Sequence, residues 1–180
     1  MLRTWAMDRA AYEALPAPFP RSPRARYGMR VEDVRSWLPG LRESGWRGLP
    51  RATAMVEELA RRVARLPDEG PALVPVHGDP QRGNWLLAGG RRLYQLDWDT
   101  ARLDDPVTDP ARLAWWLLSA ADCPAFLAAC GLDPDDSTTR QRADLSVLNY
   151  VVATAVYVVR FGRLERADHW LALAEELLAS

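Results

Sequence analysis

Three oxygen-bearing side chains stand close together in this sequence: Asp79 and Asn84 in "HGDPQRGN", residues 77–84, and Asp97 in "LDWD", residues 96–99. A carboxylate and an amide oxygen brought together suit a hard cation such as Mg2+, which prefers oxygen ligands. A second carboxylate beside that cation can orient a hydroxyl group and accept its proton. Those parts are what phosphoryl transfer from a nucleotide requires, because the protein there supplies positioning and electrostatics and little covalent chemistry. Each residue also has a plain structural use. Asp79-Pro80 is a common turn opener, and Asn84 can simply end a turn. A metal-dependent hydrolase built on His77, Asp79, Asp97 and Asp99 is a further alternative, but Asn84 suits a Mg–nucleotide complex better than a hydrolytic centre.

These residues need elements that bring them together. "NWLLAGGRRLYQLDWD", residues 84–99, reads as a β-hairpin, with two apolar-rich runs flanking Gly89-Gly90. With the tip at Gly89-Gly90 or one residue later, Asn84 lies opposite residue 95 or 97. In either register Asn84 and Asp97 point to the same side, within about 4.5 to 8 Å at their β-carbons. "ALVPV", residues 72–76, is a short strand or extended lead-in to the loop. Before it, "TAMVEELARRVARL", residues 53–66, is an amphipathic helix capped by Thr53, with Val56, Leu59, Ala60 and Val63 on one stripe and Pro67 and Gly70 at its end.

After the hairpin, Asp109-Pro110 reads as a helix start, with the Asp as cap and Leu113, Trp116, Leu117 and Ala120 at helical spacing. Residues 140–162 form an almost wholly apolar helix that should be central, and residues 165–178 an amphipathic one. "LPAPFPRSPRARYG" near the start is expected to be an extended surface segment, since proline removes a backbone donor. The helical piece "VEDVRSWL" follows it. The expected organisation is a proline-rich segment over residues 1–52 and a mainly α (α+β) catalytic lobe over 53–180, with a small β-hairpin carrying the metal site.

Composition narrows the function classes. The 180 residues are 48% hydrophobic and 26% charged, with a net charge of −1. That suits a globular domain and argues against a nucleic-acid partner. All 23 basic residues are arginine, which excludes chemistry that needs a lysine of this chain. The arginines at 21, 24, 26 and 30, and the acids at 133, 135 and 136, read as solvated surface runs. Cys123 and Cys130 form no disulfide or metal pattern. The polar N-terminus is no signal peptide, and the longest apolar run, "YVVATAVYVV", is short enough for a core helix. The expectation is a soluble, reduced, cytoplasmic protein without a membrane partner. His169 and the loop residue Arg82 read as surface, although Arg82 could also contact phosphate. Trp85, Trp98, Trp115 and Trp116 read as core rather than stacking platforms.

"HGD-x-x-x-x-N" followed by "LDWD" resembles the catalytic loop and metal-binding segment of the aminoglycoside phosphotransferase and choline kinase family, distant relatives of the protein kinases. "DPVTDPARLAWWL" is similar to the same family, and the resemblance covers about residues 53–120. It implies a protein-kinase-like C-terminal lobe and an ATP- or GTP-dependent transfer of phosphate to a hydroxyl of a small molecule. It further implies Asp79 as catalytic base, His77 as support of the catalytic loop, Asn84 and Asp97 as ligands of Mg2+ and the nucleotide, and Asp99 near the metal. Asp109 would brace the loop, although helix capping also explains it.

Members of the family also carry an N-terminal lobe with a phosphate-covering loop and a lysine. Here about 50 proline-rich residues precede the helix at 53, and no lysine is present. The resemblance therefore implies a piece of a longer enzyme, a lobe completed by a partner chain or a second copy over the missing-lobe face, or a form that binds a small molecule without phosphorylating it. A non-catalytic binding or interaction module is the competing function.

Overall fold

The computed structural model describes Pro20 and residues 22–179. Its helices, in chain order, are α1 (Pro23–Trp37), α2 (Leu49–Ala64), α3 (Thr108–Leu117), α4 (Cys123–Ala129), α5 (Ser137–Val159) and α6 (Leu164–Ala179). Its strands are β1 (Val74–Val76), β2 (Trp85–Ala88), β3 (Arg92–Gln95) and β4 (Arg102–Asp104). The mainly helical architecture with a small β component is the one expected. The strands form two antiparallel pairs, β2 with β3 and β1 with β4. The second pair closes the base of the segment that carries the hairpin, by joining Val74 to Asp104 and Val76 to Arg102.

Helix α5 is the axis of the core. Asp136 caps it, accepting from the backbone N–H groups of Thr138 at 3.2 Å and Thr139 at 2.8 Å. The acidic stretch at 133–136 is thus partly a helix cap, and Asp133 accepts from the Asp135 N–H in the same turn. Val151, Val152, Ala155 and Val156 are wholly buried. Each buried valine contributes on the order of 1.5 kcal/mol from apolar burial. Helices α1, α2, α3 and α6 all pack against α5. The 23 residues of α5 are long and apolar enough to cross a membrane, which exceeds the apolar run read from the sequence, but most of that stretch is buried among the other helices.

Several local expectations are corrected. The segment expected to be extended turns helical at Pro23; its residues 15–19 and 21 lie outside the described residues. Ser22 accepts from the Ala25 N–H at 3.3 Å, and Pro23 occupies the first turn, where its missing N–H costs nothing. Helix α1 buries Tyr27, Val31 and Val34 in the same core as α5. Helix α2 begins at Leu49, four residues before the expected cap; Thr53 lies inside it and its hydroxyl donates to the Leu49 carbonyl. Helix α4 had no counterpart in the sequence reading. The basic run is not wholly solvated: Arg30 is buried.

Candidate active site

The loop from β1 to β2 is held from three directions. Asp109 lies in the first turn of α3, and its carboxylate accepts from the backbone N–H of His77 at 2.6 Å and of Gly78 at 2.9 Å. Val107, not Asp109, occupies the cap position of α3, so the expected helix cap is instead a clamp on the loop. The buried His77 ring bridges two segments: Nε2 lies 2.7 Å from the Leu96 carbonyl, and Nδ1 accepts from the Asp79 N–H at 3.3 Å. The Leu96 carbonyl can only accept, so Nε2 is the donor of this pair and Nδ1 the acceptor. Gly78 adopts φ +85°, a conformation side chains rarely take, and a Cβ there would lie 2.7 Å from the Thr100 carbonyl oxygen. The Gly78 carbonyl also accepts from Arg112 Nη1 at 2.5 Å.

This frame presents Asp79 half-buried, with its two oxygens facing different partners. Oδ2 accepts from Gln81 Nε2 at 2.8 Å and from Asn84 Nδ2 at 3.1 Å. Oδ1 accepts from the Tyr150 hydroxyl, on α5, at 3.1 Å. Asn84 ends a 3-10 turn (Arg82–Asn84), and its amide nitrogen also donates to the Asp79 carbonyl at 2.8 Å. Both contacts of the amide nitrogen go to Asp79, so the carbonyl oxygen is what Asn84 has left to offer. Tyr150 holds its proton well above the ordinary tyrosine range, through burial first and then the charge of Asp79.

The hairpin forms in a register between the two expected. Trp85 pairs with Gln95 and Ala88 with Arg92, and the Leu96 N–H donates to the Asn84 carbonyl at 2.8 Å. Gly89 and Gly90 both have positive φ, and the turn runs through Arg91. Asn84 is therefore opposite Leu96, and strand alternation alone would send Asp97 to the other face. Backbone geometry takes Asp97 out of that alternation. Asp97 has φ 61° and ψ 68°, the one non-glycine residue with positive φ among the described residues. Asp tolerates this left-handed conformation better than most residues. The chain leaves the strand there and enters a 3-10 turn (Trp98–Thr100). The exposed Asp97 carboxyl is raised above the ordinary aspartate value by the negative charge of Asp99 first, by hydrogen bonding with Asp99, and also by the charge of Asp79. Negative charge thus crowds on Asp97 from Asp99 and Asp79, and Asn84 is joined to Asp79 by its hydrogen bonds.

A cation would relieve that crowding. Among the described residues, no three His, Cys, Asp or Glu side chains group closely enough to hold a metal unaided. The donors on hand, carboxylate and amide oxygens, are of the kind Mg2+ takes, since it typically binds one or two carboxylates, keeps several waters and draws further ligands from substrate phosphates. Asn84, Asp97 and Asp99 are the oxygen donors available for it.

Behind the loop lies a charged wall that the sequence reading missed. Asp104, fully buried at the end of β4, pairs with Arg30 and Arg26 of α1 and with Arg102 Nε at 2.9 Å. Burial pushes this carboxyl up, but Arg30, Arg102 and Arg26 more than offset that and hold it below its ordinary value. The adjacent Asp105 pairs with Arg142 of α5 at 3.3 Å and accepts from the Val107 N–H at 3.1 Å, where α3 begins. No short-range pattern marks Asp104 or the arginines; the nearest signal was the "DDP" triplet before the helix. Tyr150 lay hidden in an apolar helix. Of the tryptophans, Trp98 packs edge-on against His77 at 4.6 Å between centroids, and half-buried Trp115 and Trp116 join Tyr150 and Trp170 in an aromatic cluster. His169 and Arg82 are exposed.

This fold has a solved counterpart. The choline kinase LicA from Streptococcus pneumoniae superposes with a TM-score of 0.55 at 18% identity, over 81% of this chain and 54% of that one. The present chain therefore spans about half the length of that protein, and the likeness is one of fold, a kinase-like C-terminal lobe. The model of the phosphotransferase enzyme family matches residues 1–145, and the chain belongs to that family.

Proposed function

We propose that this chain carries the metal- and alcohol-handling part of an ATP- or GTP-dependent phosphotransferase that acts on a hydroxyl group of a small molecule. The observation that carries this reading is the placement of Asp79. Its loop is clamped by Asp109, one of its oxygens is bound by Asn84, and Asp97 feels its charge. Asp79 Oδ1 accepts the hydrogen of the acceptor alcohol in place of Tyr150, orients the alcohol oxygen and takes its proton. The alcohol oxygen bonds to the γ-phosphorus as the bond from that phosphorus to the bridging oxygen breaks, and the nucleoside diphosphate leaves. A base in this role contributes roughly 10²- to 10⁴-fold in rate. Asn84 and Asp97 would hold Mg2+, with Asp99 beside it, and the ion when bound neutralises phosphate charge. His77 moves no proton in this scheme, since both ring nitrogens are engaged in shaping the loop.

The test is a thermal-shift titration of the chain with ATP and GTP, with and without Mg2+. Stabilisation that requires both nucleotide and metal, and that Asp97→Asn largely abolishes, is the expected result. At a nucleotide concentration 100 times the dissociation constant the gain is about 2.7 kcal/mol. No shift with either nucleotide, or an equal shift in the variant, refutes the reading.

One observation favours a second reading, a non-catalytic small-molecule-binding or interaction module. The hairpin exposes Leu86, Leu87, Leu93, Tyr94 and Leu96 together, with Leu87 and Leu93 each 61% exposed. By strand alternation Leu86, Tyr94 and Leu96 lie on one side of the ribbon and Leu87 and Leu93 on the other, and exposed apolar side chains on both sides suit a partner chain or a second copy. Sedimentation as a clean monomer that binds no hydrophobic dye would count against it.

A further inference from the structure

A cavity of about 340 Å³ opens beside the catalytic loop, at the small end of ligand pockets. Tyr150 lines it, and the Tyr150 hydroxyl is bonded to Asp79 Oδ1. The opposite oxygen, Oδ2, faces Asn84. Tyr150 thus links the cavity wall to one edge of the Asp79 carboxylate, and the other edge is turned to Asn84 among the metal-binding candidates.

Charge distinguishes the cavity. Arg26, Arg30, Arg102 and Arg112 line it, against one lining carboxylate, the exposed Asp33. Behind the wall, Asp104 alone is shared by the first three arginines. Arg112 has no carboxylate in salt-bridge range among the described residues; it donates to the Gly78 and Ser146 carbonyls and lies 4.9 Å over the Tyr150 ring. Four guanidinium groups thus line the cavity against the single lining carboxylate of Asp33, with Asp104 behind them and the charge of Asp109 also reaching Arg112. Two lining side chains more than nine-tenths buried, Arg30 and Asn149, each carry a nitrogen (Nη1 and Nδ2) with no hydrogen-bond partner. Buried donors and unpaired cations cost free energy unless a ligand meets them. Burial first, and then the charge of Arg112, also lowers the proton affinity of Arg30.

We propose that this cavity is the acceptor site and that it takes a compact hydroxyl-bearing anion, a hydroxy acid or polyol phosphate, with its carboxylate or phosphate on the arginines and its hydroxyl at Asp79 Oδ1. The proposal deepens the function proposed above and rests on Asp79 acting as base. Planar guanidinium forks match carboxylate and phosphate oxygens in pairs. The Tyr150 hydroxyl marks where the substrate alcohol donates. Trp37 and Tyr157 supply the aromatic wall against which a carbon skeleton packs.

The test is isothermal titration of the full chain with glycerate, with glycerol 3-phosphate and with choline, alongside the Mg–nucleotide titration described above. Arg102→Gln and Ala153→Glu are compared with the unmodified chain. The second variant puts a negative charge on the cavity wall without removing a partner of Asp104, so it separates lost binding from lost folding. Expected are binding of at least one anion and no binding of choline, with about tenfold or greater weakening of the anion in both variants, consistent with loss of a charge-assisted contact. Glycerate against glycerol 3-phosphate tells carboxylate from phosphate. Four results overturn the proposal: neither anion binds while Mg–nucleotide does; choline binds instead; the anion binds equally well to both variants; or Arg102→Gln weakens nucleotide as much as the anion, which makes the cluster a nucleotide-phosphate site. Anion binding that both variants weaken, in a chain that binds no nucleotide, supports the pocket and refutes the phosphotransferase reading instead.

Discussion

Replacing Asp109 by Asn isolates the clamp on the catalytic loop. In the native chain the two carboxylate oxygens each accept one backbone N–H, from His77 at 2.6 Å and from Gly78 at 2.9 Å, and both donor residues are buried. Hydrogen bonds to a charged acceptor contribute about 1.5–3 kcal/mol each. Asparagine keeps one acceptor and turns an –NH2 group toward the other N–H, so one bond is lost, a buried donor is left unpaired and the remaining bond loses its charge. The charge near the N-terminus of α3 adds roughly 0.3–1 kcal/mol more. A cost of about 2–4 kcal/mol follows, read from urea unfolding as a lower midpoint at unchanged slope. Hydrogen exchange gives the local measure: a loop opened by about 2 kcal/mol exchanges its His77 and Gly78 amides roughly 30-fold faster. A loss below about 0.5 kcal/mol, with protection at both amides unchanged, would refute the clamp.

Two further outcomes follow from the charges. Asp99→Asn removes the leading cause of the raised Asp97 carboxyl. A group with a raised folded value binds its proton more tightly when folded, so the penalty is absent below the ordinary aspartate value and grows as pH rises through the folded one. The variant should therefore melt higher than the unmodified chain near about pH 7 in metal-free buffer and equally near about pH 3, by calorimetry; an equal gain at both pH values would contradict this. Asp104→Asn leaves Arg26, Arg30 and Arg102 without their shared carboxylate and should cost about 3–5 kcal/mol in chemical denaturation. Because Asp104 is held below its ordinary value, its contribution is present above that value and is lost as pH falls through the folded one. The difference between variant and unmodified chain should accordingly shrink on acidification toward about pH 2, and a constant difference would show that packing, not charge, sets the cost.

The sequence by itself determined what local chemistry controls. It held the loop in "HGDPQRGN", the hairpin around Gly89-Gly90, and the apolar run of α5, because turn residues and hydrophobic periodicity act within a few residues. It missed the start of α1, where many prolines outweighed the one Ser22-Pro23 pair that favours a helix. Only the tertiary structure decided the register at Asn84 and the left-handed turn at Asp97, since a three-residue hairpin turn and one backbone dihedral alter which faces meet. It alone decided that Asp109 clamps a loop 31 and 32 residues upstream, that Tyr150 reaches Asp79 across 71 residues, and that Arg30 pairs with Asp104 across 74. Each of those contacts joins charged or polar groups far apart in the chain, whose partners depend on how the helices pack and leave no periodic trace in the sequence.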